Sequence, residues 1–310
     1  MGAARAIQKL VMLAVAAAVL GLLAFWLLTI PSTVPTSALP AHTTDLVNGR
    51  EMFFAGGCAS CHAVPNQPDV TKLGGGLALG SPFGTFYVPN ISSDPKDGIG
   101  SWTEAQFVTA LSKGTSPEGY HYFPAFPYTS FQHMTFGDLR DLFAYLKTLS
   151  PVQGRIRDHD LPFPFNIRRT LGIWKLLFLG GKPFEPNASN TAQWDRGAYL
   201  VNGPGHCAEC HSPRNAFGAI ITELRFTGGP SPDGKGSVPN ITQFKLLKSW
   251  SEADIAKMLK SGVTPHGDEV RGVMADVIGN TSQLSAEDLM AMATYIKSLP
   301  PVEGQARPRK

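Results

Sequence analysis

Charge is scarce in this chain. Only 16% of its 310 residues are Asp, Glu, Lys or Arg, the formal net charge is +3, and no long Lys/Arg run occurs. Nucleic acid is therefore excluded as a partner, because phosphate binding needs a concentrated basic surface. Hydrophobic residues make up 43% of the chain, which excludes a disordered polypeptide. Also missing is any nucleophile–base set or carboxylate pair that the spacing singles out, so turnover by the chain on its own is not expected. Cysteine is scarcer still. The four cysteines fall into two identical patterns, Cys58-Ala-Ser-Cys61-His62 and Cys207-Ala-Glu-Cys210-His211, and none is left for a structural disulfide.

What is abundant is glycine (32) and proline (25), which read as long irregular loops between modest helices. Residues Leu10 to Ile30 form 21 positions without a charge. As a helix they would span roughly 31 Å, close to the hydrocarbon core of a bilayer. Arg5 and Lys9 precede this run and no basic residue follows closely, so the N-terminus is expected in the cytoplasm and the remainder on the far side of the membrane. A signal peptide is the competing reading. Signal h-regions are shorter, however, and Pro31-Ser-Thr-Val-Pro35 offers no clear small-residue cleavage site.

The exported part repeats itself. Cys61-His62 recurs as Cys210-His211, Pro89-Asn90-Ile91 as Pro239-Asn240-Ile241, Ser101-Trp102 as Ser249-Trp250, and Leu149-Ser-Pro-Val152 as Leu299-Pro-Pro-Val302, at offsets of 148 to 150 residues. Markers in one order at a near-constant offset mean duplication. In each copy a short helix (Thr44 to Phe54, Gln193 to Val201) leads into the cysteine motif and a Gly/Pro-rich loop follows. Ser/Thr-capped helices then begin after Trp102 and Trp250, and last helices near Thr135 and Ser285. The fold class expected is all-α, two tandem modules of three helices. The organisation expected is 1–30 membrane anchor or uncleaved signal, 31–43 linker, 44–152 first domain, 153–192 interdomain linker, 193–304 second domain, and 305–310 basic tail. Within the interdomain linker Ile173 to Leu179 is apolar and surrounded by Arg168, Arg169, Lys175 and Lys182. It reads either as a helix packed between the domains or as an amphipathic segment on a membrane or partner.

C-x-x-C-H places two thiols to add across the vinyl groups of one haem and directs the adjacent His at the iron. A thioredoxin-type site would need a βαβ context, and a zinc site would need four ligands. The expectation is two covalently bound haem c groups, on Cys58 and Cys61 and on Cys207 and Cys210, with His62 and His211 as proximal iron ligands. Met274, in Gly272-Val-Met-Ala in a loop ten residues before Leu284, is the candidate distal ligand of the second copy. In the first copy the candidates are Met134, His121 and His133, or no sixth ligand at all. Arg214 and the two Pro-Asn pairs are candidates for holding haem propionates.

The stretches Cys207 to Asn215, Pro239-Asn-Ile-Thr242, Val273-Met-Ala275 and Pro124-Ala-Phe-Pro-Tyr128 resemble the cytochrome c subunits of membrane-bound alcohol, aldehyde and gluconate dehydrogenase complexes. The resemblance covers about residues 44–302. It implies two tandem cytochrome c-type domains held at the cytoplasmic membrane with the haems in the periplasm. It also implies a catalytic dehydrogenase subunit as electron donor, and a downstream cytochrome, quinone or terminal oxidase as acceptor. By position it makes Met274 a distal ligand. The chain departs from the family in carrying two haem motifs where three are common, and in placing Phe126 where the family has a Met. A dihaem peroxidase or thiosulfate-type dehydrogenase is the alternative reading.

Overall fold

The structure, a computed structural model, describes residues 2–231 and 236–304; the expected basic tail 305–310 lies outside the described residues. The chain opens with α1 (Gly2–Leu28), a 27-residue apolar helix with no buried residue. It starts earlier than expected, taking in Arg5 and Lys9, and it ends two residues sooner. Pro31 disfavours helical geometry at Ile30, and Thr29 closes the last turn by donating its hydroxyl to the Phe25 carbonyl at 2.7 Å.

The first half contains α2 (Leu46–Ala55), α3 (Cys58–His62), the strands β1 (Ala78–Ser81) and β2 (Gly84–Tyr87), α4 (Glu104–Lys113), α5 (Tyr128–Phe131) and α6 (Phe136–Thr148). After a connecting helix α7 (Leu171–Phe178) the second half follows the same order. Its elements are α8 (Ala192–Asn202), α9 (Ala208–His211), β3 (Gly229–Pro230), β4 (Ser237–Val238), α10 (Glu252–Ser261), α11 (Val273–Thr281) and α12 (Ala286–Ser298). The chain is thus mainly helical, but not all-α as expected: each half carries a two-stranded antiparallel hairpin. The first hairpin pairs Ala78 with Tyr87 and Ser81 with Gly84, and Gly84 at φ 120° accepts a turn that other residues resist.

The helices start where the caps require. Thr103 and Gln106 form a capping box on α4, Ser251 and Asp254 form one on α10, and Thr135 and Ser285 cap α6 and α12. In each half the helix before the cysteine motif packs against the last helix, α2 on α6 and α8 on α12. Both crossings depend on a glycine. A Cβ at Gly49 would run into the Asp141 carbonyl, and one at Gly197 into the Ala291 carbonyl. The apolar core lies around these crossings, with Phe53, Leu139 and Leu146 in the first half and Leu200, Leu289 and Ile296 in the second.

Two segments read as linkers are fastened to the first half. Val34 is buried, and its N–H donates to the Thr109 hydroxyl at 2.9 Å. His42 Nε2 lies 2.6 Å from the Asp141 carboxylate, and Arg140 donates to the Pro40 carbonyl at 2.6 Å. On the other side of the half, Lys175 of α7 donates to the carbonyls of Lys113 and Gly114 at 2.7 and 2.6 Å. The amine is thereby set at the C-terminal end of α4, where the helix dipole favours its charged form while burial lowers its pKa to about 7.

Candidate haem sites

Both cysteine motifs sit on a single helical turn, which brings the two thiols of each pair to one side and carries the histidine one residue further round. Cys61 is exposed and the other three cysteines are half-buried. Burial pushes the Cys58 and Cys207 thiols up to about 12, the neighbouring cysteine of each pair adding to it. Such thiols stay protonated at neutral pH, unlike the acidic thiol of a disulfide oxidoreductase.

The histidines are held in the same way in both halves. His62 Nδ1–H donates to the Pro89 carbonyl at 2.9 Å and His211 Nδ1–H donates to the Pro239 carbonyl at 2.8 Å. The second nitrogen, Nε2, is left as the free lone pair, which is how a metal-bound imidazole is oriented by its outer partner. Burial holds the His62 ring down at about 4, and it lowers His211 as well. Both imidazoles are therefore neutral, as a ligand must be. The loops that supply the two carbonyls are themselves tied down. Asn90 Nδ2 donates to the Val152 carbonyl at 2.6 Å and Asn240 Nδ2 to the Val302 carbonyl at 2.9 Å. The Pro-Asn pairs thus do two jobs: the proline carbonyl holds the histidine, and the asparagine ties the loop to the end of the last helix. The repetition of these pairs was visible in the sequence, but this division of labour was not.

Arg214 is engaged by Glu209, with Nη2 2.6 Å from the carboxylate. A further buried donor, the Trp250 indole N–H, finds no acceptor among the described residues. An unsatisfied buried donor needs an explanation, and a haem carboxylate is a group of the required kind. Together with the two free imidazole nitrogens and the paired thiols, this donor shows that the residues fit haem c.

The distal candidates separate. Met274 lies in the first turn of α11, on a helix rather than in the expected loop, and it packs against the core half-buried. Gly272, at φ 64°, turns the chain into that helix. Met134 is 1% exposed and immediately precedes the Thr135 cap, as Leu284 precedes Ser285. Its side chain reaches towards α8, with Cγ 3.7 Å from where a Cβ on Gly203 would stand. His121 donates through Nε2 to the Thr29 carbonyl at 2.9 Å, and His133 through Nδ1 to the Lys182 carbonyl at 3.0 Å. Phe126 sits in an aromatic cluster with Tyr122, Tyr128 and Phe131.

The two motifs are brought together by a reciprocal contact. Ser60, between the cysteines of the first motif, accepts from Asn280 of α11 at 2.7 Å. Glu209, at the same place in the second motif, accepts from Thr129 and Ser130 of α5 at 2.6 and 2.9 Å. Each motif helix therefore rests on the other half's short helix before the last one. His206 adds a bond from Nε2 to the Gly56 carbonyl at 3.2 Å.

The family model described as cytochrome c matches residues 46–150. A "diheme cytochrome c-type" protein of Cereibacter sphaeroides is 50% identical over 263 residues, covering 84% of this chain and 88% of that protein. The chain belongs to the cytochrome c family. Membership implies covalently bound haem c and a role in electron transfer. The fructose dehydrogenase cytochrome subunit of Gluconobacter japonicus is 38% identical over 86% of this cytochrome and 55% of the relative. The cytochrome c subunit of a quinone-dependent alcohol dehydrogenase from Gluconacetobacter polyoxogenes is 38% identical over 82% and 56%. This cytochrome therefore spans little more than half the length of those dehydrogenase subunits.

Proposed function

We propose that this chain is a membrane-anchored dihaem electron carrier. It receives electrons from a catalytic dehydrogenase subunit and delivers them, on the periplasmic face of the cytoplasmic membrane, to a downstream cytochrome, quinone or terminal oxidase. The observation that carries the reading is the duplicated imidazole–proline carbonyl bond in two halves, each of whose cysteine motifs is bonded to a helix of the other half. Cys58 and Cys61 with His62 hold the first haem, and Cys207 and Cys210 with His211 hold the second. Bound haem c supplies reversible one-electron chemistry at each iron.

The chain's own residues do the rest. The proline carbonyls fix the imidazole tautomers, the α11 helix offers the Met274 thioether as distal ligand, and Trp250 donates towards a propionate. The first domain (44–152), the second (193–304) and the α1 anchor then form one carrier. Met134 as distal ligand of the first haem has weaker support, since its thioether is packed where Leu284 packs in the second half.

A dihaem enzyme such as a peroxidase is the second reading. It is favoured by the first half alone, where Met134 is buried in the core and His121 and His133 each spend one ring nitrogen on a backbone carbonyl. Purified full-length protein tests both. Two covalent haems per chain, complete reduction by a catalytic dehydrogenase subunit and no peroxide turnover support the carrier. A polypeptide mass without haem after denaturation overturns both readings, and peroxide turnover by the protein alone selects the enzyme.

A further inference from the structure

Helix α7 is built the wrong way round for a water-soluble surface. Its inward face carries Gly172 and Lys175, both buried, while Ile173, Leu176 and Leu177 point outward, Leu177 at 68% exposure. The chain just before it adds Phe163, 78% exposed, and Phe165, and the second half adds Phe217 at 68%. These three are the only exposed phenylalanines among the described residues. Phe165 reaches the Phe217 loop through Phe83, whose ring lies 5.2 Å from that of Phe165 and 3.2 Å from where a Cβ on Gly218 would stand, and Phe163 is two residues before Phe165. The Trp174 indole donates to the Phe217 carbonyl at 2.9 Å, and the Phe178 and Phe217 rings lie 6.3 Å apart. Contiguous apolar surface of this kind marks a site that something covers.

The position of the patch says what covers it. Gly172 is in contact with Thr29, the residue that follows the end of α1, so closely that a Cβ there would collide. Arg169 donates to the Trp26 carbonyl and the Thr29 hydroxyl at 2.6 and 2.7 Å, with its guanidinium 4.2 Å above the Trp26 ring. The α7 segment is thus clamped to the point where the apolar helix runs out, with an Arg–Trp pair at the level where such residues meet lipid headgroups. Residues 161–184 contain no carboxylate; with Lys175 turned inward and Lys182 paired with Glu185 at 3.7 Å, Arg168 and Arg169 are the cations this segment keeps for anionic lipid.

We infer that the α7 surface, with Phe163, Phe165 and Phe217, is a second membrane contact that inserts into the headgroup–acyl boundary of the leaflet from which α1 emerges. This rests on the reading of α1 as a retained span. The domains then lie down on the bilayer, held at two places, instead of swinging from a tether.

The test uses the full-length haem-loaded protein in vesicles of phosphatidylethanolamine and phosphatidylglycerol that contain a diazirine-bearing phospholipid. After illumination, lipid adducts are mapped by peptide mass spectrometry. The expected result is adducts in α1, in the peptides spanning 161–182 and in the peptide holding Phe217, with none around Val70 or Leu246, which are also exposed. The double variant L176E/L177E is expected to lose at least tenfold in adduct yield across 161–182 while the α1 yield stays the same. Adducts confined to α1 overturn the inference, and a protein partner covering the patch would give that pattern. Adducts across the patch from a mature chain lacking α1 overturn the anchor and leave the second contact standing.

Discussion

At the scale of single residues, the two histidine sites are near copies while the two distal sites are not. His62 and His211 differ by 0.1 Å in their bonds to Pro89 and Pro239, because the same Pro-Asn loop is tied to the same place at the end of the last helix. Of the two candidate methionines, Met274 of α11 is half-buried, whereas Met134 fills a core position beside α8. This asymmetry predicts separable outcomes for two conservative substitutions. Met274→Leu should abolish the thioether-to-iron charge-transfer band of the ferric protein and lower the potential of one haem, since a Met axial ligand raises it. Met134→Leu, a swap of nearly equal volume, should leave the band intact and cost less than about 1.5 kcal/mol in stability. A band that survives Met274→Leu but vanishes with Met134→Leu would reverse the assignment. Spacing alone singled out the Cys and His candidates, and the structure gives both histidines the same Nδ1 partner. The distal ligand of the first half was not singled out, because it depends on which way a side chain points, and Met134, its first alternative His121 and then His133 all carry atoms that can bind iron.

At the scale of elements, the crossings of α2 with α6 and of α8 with α12 carry both halves. Their glycines let two backbones approach to the distance of direct contact, and the backbone carbonyls of Asp141 and Ala291 have nowhere to move. Gly49→Ala and Gly197→Ala should each destabilise the protein by roughly 3 kcal/mol, at the upper end of overpacking costs. Alanine is the better helix former by about 1 kcal/mol, so propensity alone predicts the opposite sign. Denaturant titration followed at the haem absorbance decides between them. The first crossing has a second support in Asp141, which accepts from the Asp45 N–H and from Asn48 Nδ2 at 2.8 Å and pairs with His42. Asp141→Ala leaves these part-buried donors unpaired and should cost about 1–2 kcal/mol, read as a lower denaturant midpoint.

The capped helices were legible because a cap is a local pattern: Thr or Ser, then Gln or Asp three residues on. The two hairpins were missed for the converse reason. Their strands are two to four residues long and rich in Gly, Pro and Ser, and they are stabilised by the loops that fold over them. Thr85 pairs with Asp160 from beyond the last helix of its own half, a partner no local window contains.

At the scale of the whole molecule, the duplication was plain in the sequence but its geometry was not. Nothing in two repeats says whether they sit apart or face to face. The answer lies in two positions of no obvious note, Ser60 and Glu209, each lodged between the cysteines of its own motif and each bonded to the opposite half. Glu209 is the stronger of the two, because its carboxylate also meets Arg214 in an ion pair with only 10% of its side chain exposed. Burial would raise the Glu209 carboxyl, but the Arg214 charge and the donors on Thr129, Ser130 and Arg214 outweigh it, so its pKa lies below the ordinary 4.5. A carboxylate whose folded pKa is depressed contributes stability that is fully present above the unfolded value and is lost as pH falls through the folded one. The junction between the halves should therefore hold at pH 7 and weaken below about pH 4.5, before either helix crossing gives way. Calorimetry of the haem-loaded protein should show one transition at neutral pH and two in acid. Glu209→Ala should give the two-transition pattern already at pH 7 and leave the charge-transfer band of Met274 unchanged. A single transition for the variant at both pH values would mean that the reciprocal contact does not couple the halves, and that the remaining contacts between α3 and α11 hold them together without it.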